Sequence, residues 1–276
     1  MVRPTWWADW PFSRVNENLT ILDVVNSGTV DFRLAGLLWL LMEHRASVLV
    51  AAGPIFAGKT TILHTLLDFL PPEINRVALR GYDEDFKFSN KYKPDNTYLV
   101  SEEISNHSYE YLWGYQVVEA FELLPKGYAL GSTIHARNLR EVAYVLHGML
   151  NVPLPLIAGL GVVVTLQAAN GPSYDDEPVR RVDTVSIINF ADKGLTAQTL
   201  AARQLTDTEF VYPSEKALHN TLFNKFAIKY ENVFSEIARR ETFLRGLPDK
   251  GISTREEVRK AILDYYRLQL TDDSFE

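Results

Sequence analysis

Ser47-Val48-Leu49-Val50-Ala51-Ala52, running into Gly53-Pro54-Ile55-Phe56-Ala57-Gly58-Lys59-Thr60-Thr61, is the stretch that decides how this chain is read. The first half is a short apolar, β-branched run, the composition of a strand buried on both faces of a parallel sheet. The second half fits G-x-x-x-x-G-K-[ST]. That spacing serves one kind of chemistry. Backbone N–H groups must wrap a polyanion, and glycine lets the chain turn tightly enough around it. A lysine reaches the outer phosphates, a hydroxyl ligates a divalent cation, and the following helix aims its positive end at the anion. Gly53, Ala57, Gly58, Lys59, Thr60 and Thr61 are therefore the candidate nucleotide-binding residues. Thr60 is the candidate Mg2+ ligand, and ATP with Mg2+ are the expected cofactors. No base-reading motif separates adenine from guanine. Pro54 and Phe56 make the loop interior stiff and bulky, which can change affinity while leaving the N–H groups of Ala57 to Thr61 available.

Outward from this stretch the pattern alternates. Before it, Leu34, Leu37, Leu38, Leu41 and Met42 share one helical face over 31–45, with Thr29 where an N-cap belongs. After it, Ile62, Leu63, Leu66, Leu67 and Leu70 form an apolar stripe that Pro71-Pro72 ends. Strands are expected at 76–80, 97–101, 128–133, 161–168 and 181–189, helices at 109–124 and 139–150, and a polar loop around 171–177. Alternation of this kind indicates an α/β sheet with helical cover. From Ser214 to Arg267 the chain is charged and helical in pattern, and Ser253 with Glu256 reads as a capping box opening the last helix. The expected organisation is a lead-in over residues 1–28, a core over 29–210 and a small C-terminal helical module over 211–276. Trp6, Trp7 and Trp10 in the lead-in are suited to packing on the core's own surface, with docking on a partner as the alternative.

Bulk composition narrows the classes. With 276 residues, 46% of them hydrophobic, the chain can bury a substantial core. A net charge of −7 argues against a nucleic-acid partner steered by a basic surface. With no cysteine there are no disulfides or thiolate metal sites, which fits a cytoplasmic location. No apolar run is long enough to span a bilayer, so membrane contact is expected to be peripheral or through partners.

Two further groups carry chemistry. Tyr98-Leu99-Val100-Ser101-Glu102-Glu103 puts two carboxylates at the C-terminal end of an apolar strand, the sheet edge that adjoins the phosphate loop. A carboxylate there can hold the magnesium shell or polarise an attacking water. His135 ends the next strand, where it can sense the γ-phosphate. Asp83, Glu84 and Asp85 form a third acidic patch, which taken alone reads as solvated surface.

These elements, in this order, resemble the type II/type IV secretion and pilus-assembly ATPases, the general secretory pathway protein E family. Ser132-Thr133-Ile134-His135-Ala136 is similar to the family's histidine box, Glu103-Ile104 to its acidic second box, and Arg180-Arg181-Val182 to a segment beyond. Lys250-Gly251-Ile252 and Asp264-Tyr265-Tyr266 resemble its C-terminal ending. The resemblance implies a RecA-like P-loop NTPase core, mostly parallel with helices on both faces. It also implies a hexameric ring at the cytoplasmic face of a membrane, working on a polytopic inner-membrane platform protein to drive secretion or pilus assembly. It assigns Glu103, Asp85 and His135 to catalysis. The departures are Gly81-Tyr82-Asp83-Glu84-Asp85 where the family's acidic box opens with Glu-Asp, Ser105-Asn106 for Arg-Asp, Val145 for an arginine, and little sequence before the core where the family has a large domain. They keep an alternative open: a nucleotide-binding, hydrolysis-deficient paralogue.

Overall fold

The computed structural model describes residues 18–53, 57–169, 179–192, 194–204, 209–229 and 231–272. The three N-terminal tryptophans, Pro54, Phe56 and the loop at 171–177 lie outside these residues. Within them the chain runs α1 (Ile21–Asn26), α2 (Phe32–Glu43), β1 (Val48–Ala52), α3 (Lys59–Leu67), β2 (Asn75–Ala78) and β3 (Thr97–Val100). Next come α4 (Tyr115–Glu122), β4 (Ala129–His135), α5 (Leu139–Ala143), α6 (Leu154–Ile157), β5 (Val162–Ala169), β6 (Val179–Ala191), β7 (Gly194–Arg203) and β8 (Phe210–Val211). Helices α7 (Glu215–Phe226), α8 (Val233–Arg245) and α9 (Arg255–Asp272) close the order.

One sheet of eight strands, in the order β2-β3-β4-β1-β5-β6-β7-β8, organises the fold. The five strands β2 to β5 pair in parallel, and β6, β7 and β8 extend the sheet antiparallel. Strand β1 lies at the centre with every residue buried. Because side chains alternate along a strand, Val48, Val50 and Ala52 enter the core beneath α1, α2, α3, α7, α8 and α9. Leu49 and Ala51 enter the opposite core, with residues of α4, α5 and α6. The α/β class with helices on both faces is thus the observed one, with an antiparallel extension that sequence pattern did not suggest.

Several local expectations need correction. Asp31, not Thr29, caps α2: its Oδ1 accepts the Leu34 N–H at 2.6 Å. Thr29 is tied instead to β6, its carbonyl accepting the Val182 N–H at 2.9 Å and its hydroxyl donating to the Arg180 carbonyl. Residues 21–26, within the expected lead-in, are helical because Thr20 and Asp23 form a capping box. The box opening α9 is one residue later than Ser253/Glu256: Thr254 Oγ1 accepts the Glu257 N–H, and the Glu257 carboxylate accepts the Thr254 N–H. Helix α4 starts six residues later than expected, because the backbone before it is committed elsewhere: Leu112 N–H donates to Glu103 O, and Ser105 N–H to Leu112 O.

The C-terminal helices join the core through Trp39, which is fully buried on α2. Its ring stacks on Phe69 at 5.2 Å, and its indole N–H donates to the Tyr266 hydroxyl at 2.7 Å. That hydroxyl in turn donates to the Phe69 carbonyl at 2.6 Å. Tyr266→Phe strips both groups of a buried partner, a loss of about 1–3 kcal/mol. Urea unfolding should show a lower midpoint with an unchanged slope. An unchanged midpoint would mean the relay does not hold α9 in place.

Candidate functional site

Strand β1 ends at Ala52, beside His135 of β4 in the parallel register. Helix α3 begins at Lys59, and its N-cap Gly58 has φ +86°, a left-handed conformation with no side-chain cap. The first intrahelical bond, Ile62 N–H to the Gly58 carbonyl, leaves the N–H groups of Lys59, Thr60 and Thr61 without helical acceptors. Uncapped amides at a helix N-terminus are the physical requirement of a phosphate cradle. Lys59 is buried. Burial lowers its pKa, and the nearby Glu103 carboxylate works in the opposite direction. Its Nζ lies 3.4 and 3.5 Å from the two ring nitrogens of His135. Thr60 and Thr61 sit half-buried in the first turn.

The acidic stretch after β3 continues beside β4 with a bulge. Ser101 N–H bonds the Gly131 carbonyl and Ile104 N–H that of Thr133, three steps along one chain against two along the other. The bulge splays the two carboxylates. Glu103 turns to His135, with Oε1 3.3 Å from Nε2 and a side chain only 12% exposed. Glu102 turns to α3, where its carboxylate meets His64 Nε2 at 3.1 Å, one helical turn after Thr60. Its backbone carbonyl accepts the Thr133 hydroxyl at 2.8 Å.

Lys59, Glu103 and His135 are therefore brought together. Asp85 belongs to a different group. It follows β2, whose place in the sheet is three strand spacings, roughly 14 Å, from β1. Arg80 stands 2.8 Å and Lys87 3.3 Å from its carboxylate. The Lys87 backbone N–H, first, and then the Lys87 and Arg80 side chains lower its pKa to about 2. The buried Glu84 holds this turn by accepting the N–H groups of Arg80 and Phe86, each at 2.8 Å.

Two arginines pack on the motif glycines. The arm of Arg137 covers Gly53 so closely that a side chain there would collide with it. Its guanidinium is fixed by Glu141, with Nε 2.9 Å from Oε1. Arg180 of β6 packs over Gly58, where an added Cβ would come 3.1 Å from its Cδ. Residue pattern offered no signal for Arg137, and it marked Arg180 only through the family resemblance. His64 and His107 carried no signal at all.

A buried strand leading to a helix whose N-terminal amides are uncapped, with the acid-bearing strand β3 separated from β1 by β4, defines a RecA-like P-loop NTPase fold. Among solved structures the chain is similar to the VirB11 ATPase of the Brucella suis type IV secretion system. That match has a TM-score of 0.39 and 15% identity, and covers 65% of this chain and 60% of that one. It is also similar to the Legionella pneumophila ATPase DotB, with a TM-score of 0.33 and 10% identity over 81% of this chain and 57% of that one. This chain thus spans less than two thirds of the length of either. In sequence it is 24% identical over 275 residues to the uncharacterized protein MJ1287 of Methanocaldococcus jannaschii, covering 88% of this chain and 96% of that one. It is 24% identical over 164 residues to MJ0900 of the same organism, an uncharacterized protein of which 30% is covered. No known protein-family profile matches the chain. Among the described residues no helix is long and apolar enough to cross a membrane.

Proposed function

We propose that this chain binds Mg-ATP at Gly53–Thr61 and hydrolyses it, as a motor subunit of protein secretion or type IV pilus-like assembly. The observation that carries the reading is the meeting of Lys59, Glu103 and His135 at the end of β1 and β4, against the uncapped start of α3. The residues fit the ligand. A desolvated ammonium and three amides without helical acceptors call for a polyanion, and Lys59 would hold the β- and γ-phosphates. Thr60 would hold magnesium, which when bound neutralises charge on the transferred phosphoryl group. Glu103 orients the attacking water, and His135, between Glu103 and Lys59, registers whether the γ-phosphate has drawn the ammonium away. Assembly as a hexameric ring on a polytopic membrane platform protein at the cytoplasmic face belongs to the same proposal and rests on the motif resemblance.

Magnesium-dependent ATP turnover by the purified chain tests it. Glu103→Gln should keep ATP affinity and lower turnover by about 10²–10⁴-fold. Turnover indifferent to that change would remove Glu103 from the chemistry. A second reading, a nucleotide-binding paralogue without hydrolysis, is favoured by the pairing of Asp85 with Arg80 and Lys87. Tight ATP binding with no turnover, even with partners present, would select it.

A further inference from the structure

Glu103, His107 and His135 form a group whose composition phosphate binding does not require. One potential ligand atom from each lies within 4.8 Å of the others. The Glu103 Oε1 is buried and accepts no hydrogen bond among the described residues, although His135 Nε2 is 3.3 Å away. A separation of roughly 3.3 Å without a hydrogen bond is the edge of a tetrahedron about an ion whose bonds are about 2.0–2.1 Å. His107 faces the pair from the loop after β3, its ring 5.7 Å from that of His135 and tilted by 56°. Backbone bonds hold that loop. The His107 N–H donates to Ser105 Oγ at 3.2 Å, and Ser105, Leu112 and Glu103 are linked through their main chains. His107 is exposed, which opens the group to solvent.

Two imidazoles and one carboxylate suit a borderline transition-metal ion. Magnesium and calcium take oxygen ligands, so the ion that would sit on Thr60 does not compete for this site. We propose that Glu103, His107 and His135 bind a divalent transition-metal ion of the zinc class beside the phosphate loop, with a fourth position left for water or a phosphate oxygen. The Lys59 ammonium, now against His135, must move aside for the ion, and bound phosphates are where it would go. An ion held here engages both Glu103 and His135, so it arrests turnover while the loop still binds nucleotide. The arrest, unlike the metal binding, rests on the hydrolytic reading above.

Co2+ titration of the full chain, without nucleotide, tests the site directly. One equivalent should give the visible d–d bands of low-coordinate nitrogen and oxygen ligation, and Zn2+ should displace it. His107→Ala should weaken uptake by at least about 100-fold, and His107→Cys should restore it with a thiolate charge-transfer band. Lys59→Ala, which loses the competing cation, should keep or strengthen uptake even though its nucleotide site is lost. Absence of stoichiometric uptake by the wild type, or wild-type uptake by His107→Ala, overturns the proposal. Zn2+ should stop turnover of the wild type and spare His107→Ala. Equal inhibition of both would overturn the arrest. A chain that never hydrolyses ATP would still give the Co2+ result, so failure of the two readings can be told apart.

Discussion

Lys59→Ala should remove measurable ATP binding while leaving the folded protein as stable as before, or slightly more so. The two halves of this expectation have one cause. Lys59 is buried at the first turn of α3, where burial disfavours its charge and Glu103 only partly offsets that. Among the described residues its hydrogen-bonding partners are ring nitrogens of His135 at 3.4 and 3.5 Å, at the limit of hydrogen bonding. A desolvated cation with such weak contacts contributes little to folding. Against a triphosphate the same cation meets charge it can neutralise, and truncating one partner of a desolvated pair costs about 2–5 kcal/mol, roughly 30- to 5000-fold in Kd. Calorimetry for binding and thermal unfolding without nucleotide separate the two. A variant that binds ATP like the wild type would end the phosphate-loop reading. One that lost stability in step with binding would make Lys59 a structural residue.

What could be read in advance follows from where the information lies. Strand β1, its loop and α3 are specified locally: an apolar β-branched run, two glycines at fixed spacing and an i, i+3, i+4 stripe. Placing Glu103 and His135 at the same sheet edge needed only that two apolar strands run parallel to β1. Strand β7 was not legible, because Leu195 and Leu200 are the large apolar residues of a segment otherwise small or polar, much of it exposed. Its strand character comes from pairing with β6, beyond the reach of any sequence window. The contact of Glu102 with His64, and of Glu103 with His135, depends on a single bulge after β3, and bulges leave no periodic trace. His107 lay between the strand expected at 97–101 and the helix expected at 109–124, and it reaches His135 only because Ile104 and Leu112 close the loop that carries it. Arg137 over Gly53 is a tertiary contact whose one local cue is Glu141 four residues on, a pairing common on exposed helices.

Arg240→Ala should cost about 3–5 kcal/mol, the range for breaking a buried ion pair from one side. Arg240 lies on α8 with no side-chain exposure. Its Nε donates to Glu43 at 3.2 Å, and its Nη1 donates to the Glu236 carboxylate at 2.9 Å. The guanidinium also stands 5.9 Å from the ring centroids of Trp39 and of Tyr265, so one side chain couples α2, α8 and α9. Burial by itself would lower the pKa of this group, but Glu43, followed by Tyr265 and Glu236, outweighs burial and raises it. Alanine removes the guanidinium from two carboxylates at once, that of Glu43, in a side chain 15% exposed, and that of Glu236, which also meets Arg239 at 3.1 Å. Pairing Arg240→Met with Glu43→Met, which fills the space and removes the facing carboxylate, should recover most of the stability lost by alanine. Chemical denaturation of the three proteins would check this, and ATP affinity should be the same in all of them wherever they are folded. If Arg240→Ala cost under about 1 kcal/mol, the pair would behave as a surface salt bridge. If the double replacement were as unstable as alanine, the guanidinium's contacts with Trp39 and Tyr265, rather than its charge on Glu43, would be what joins the C-terminal helices to the core.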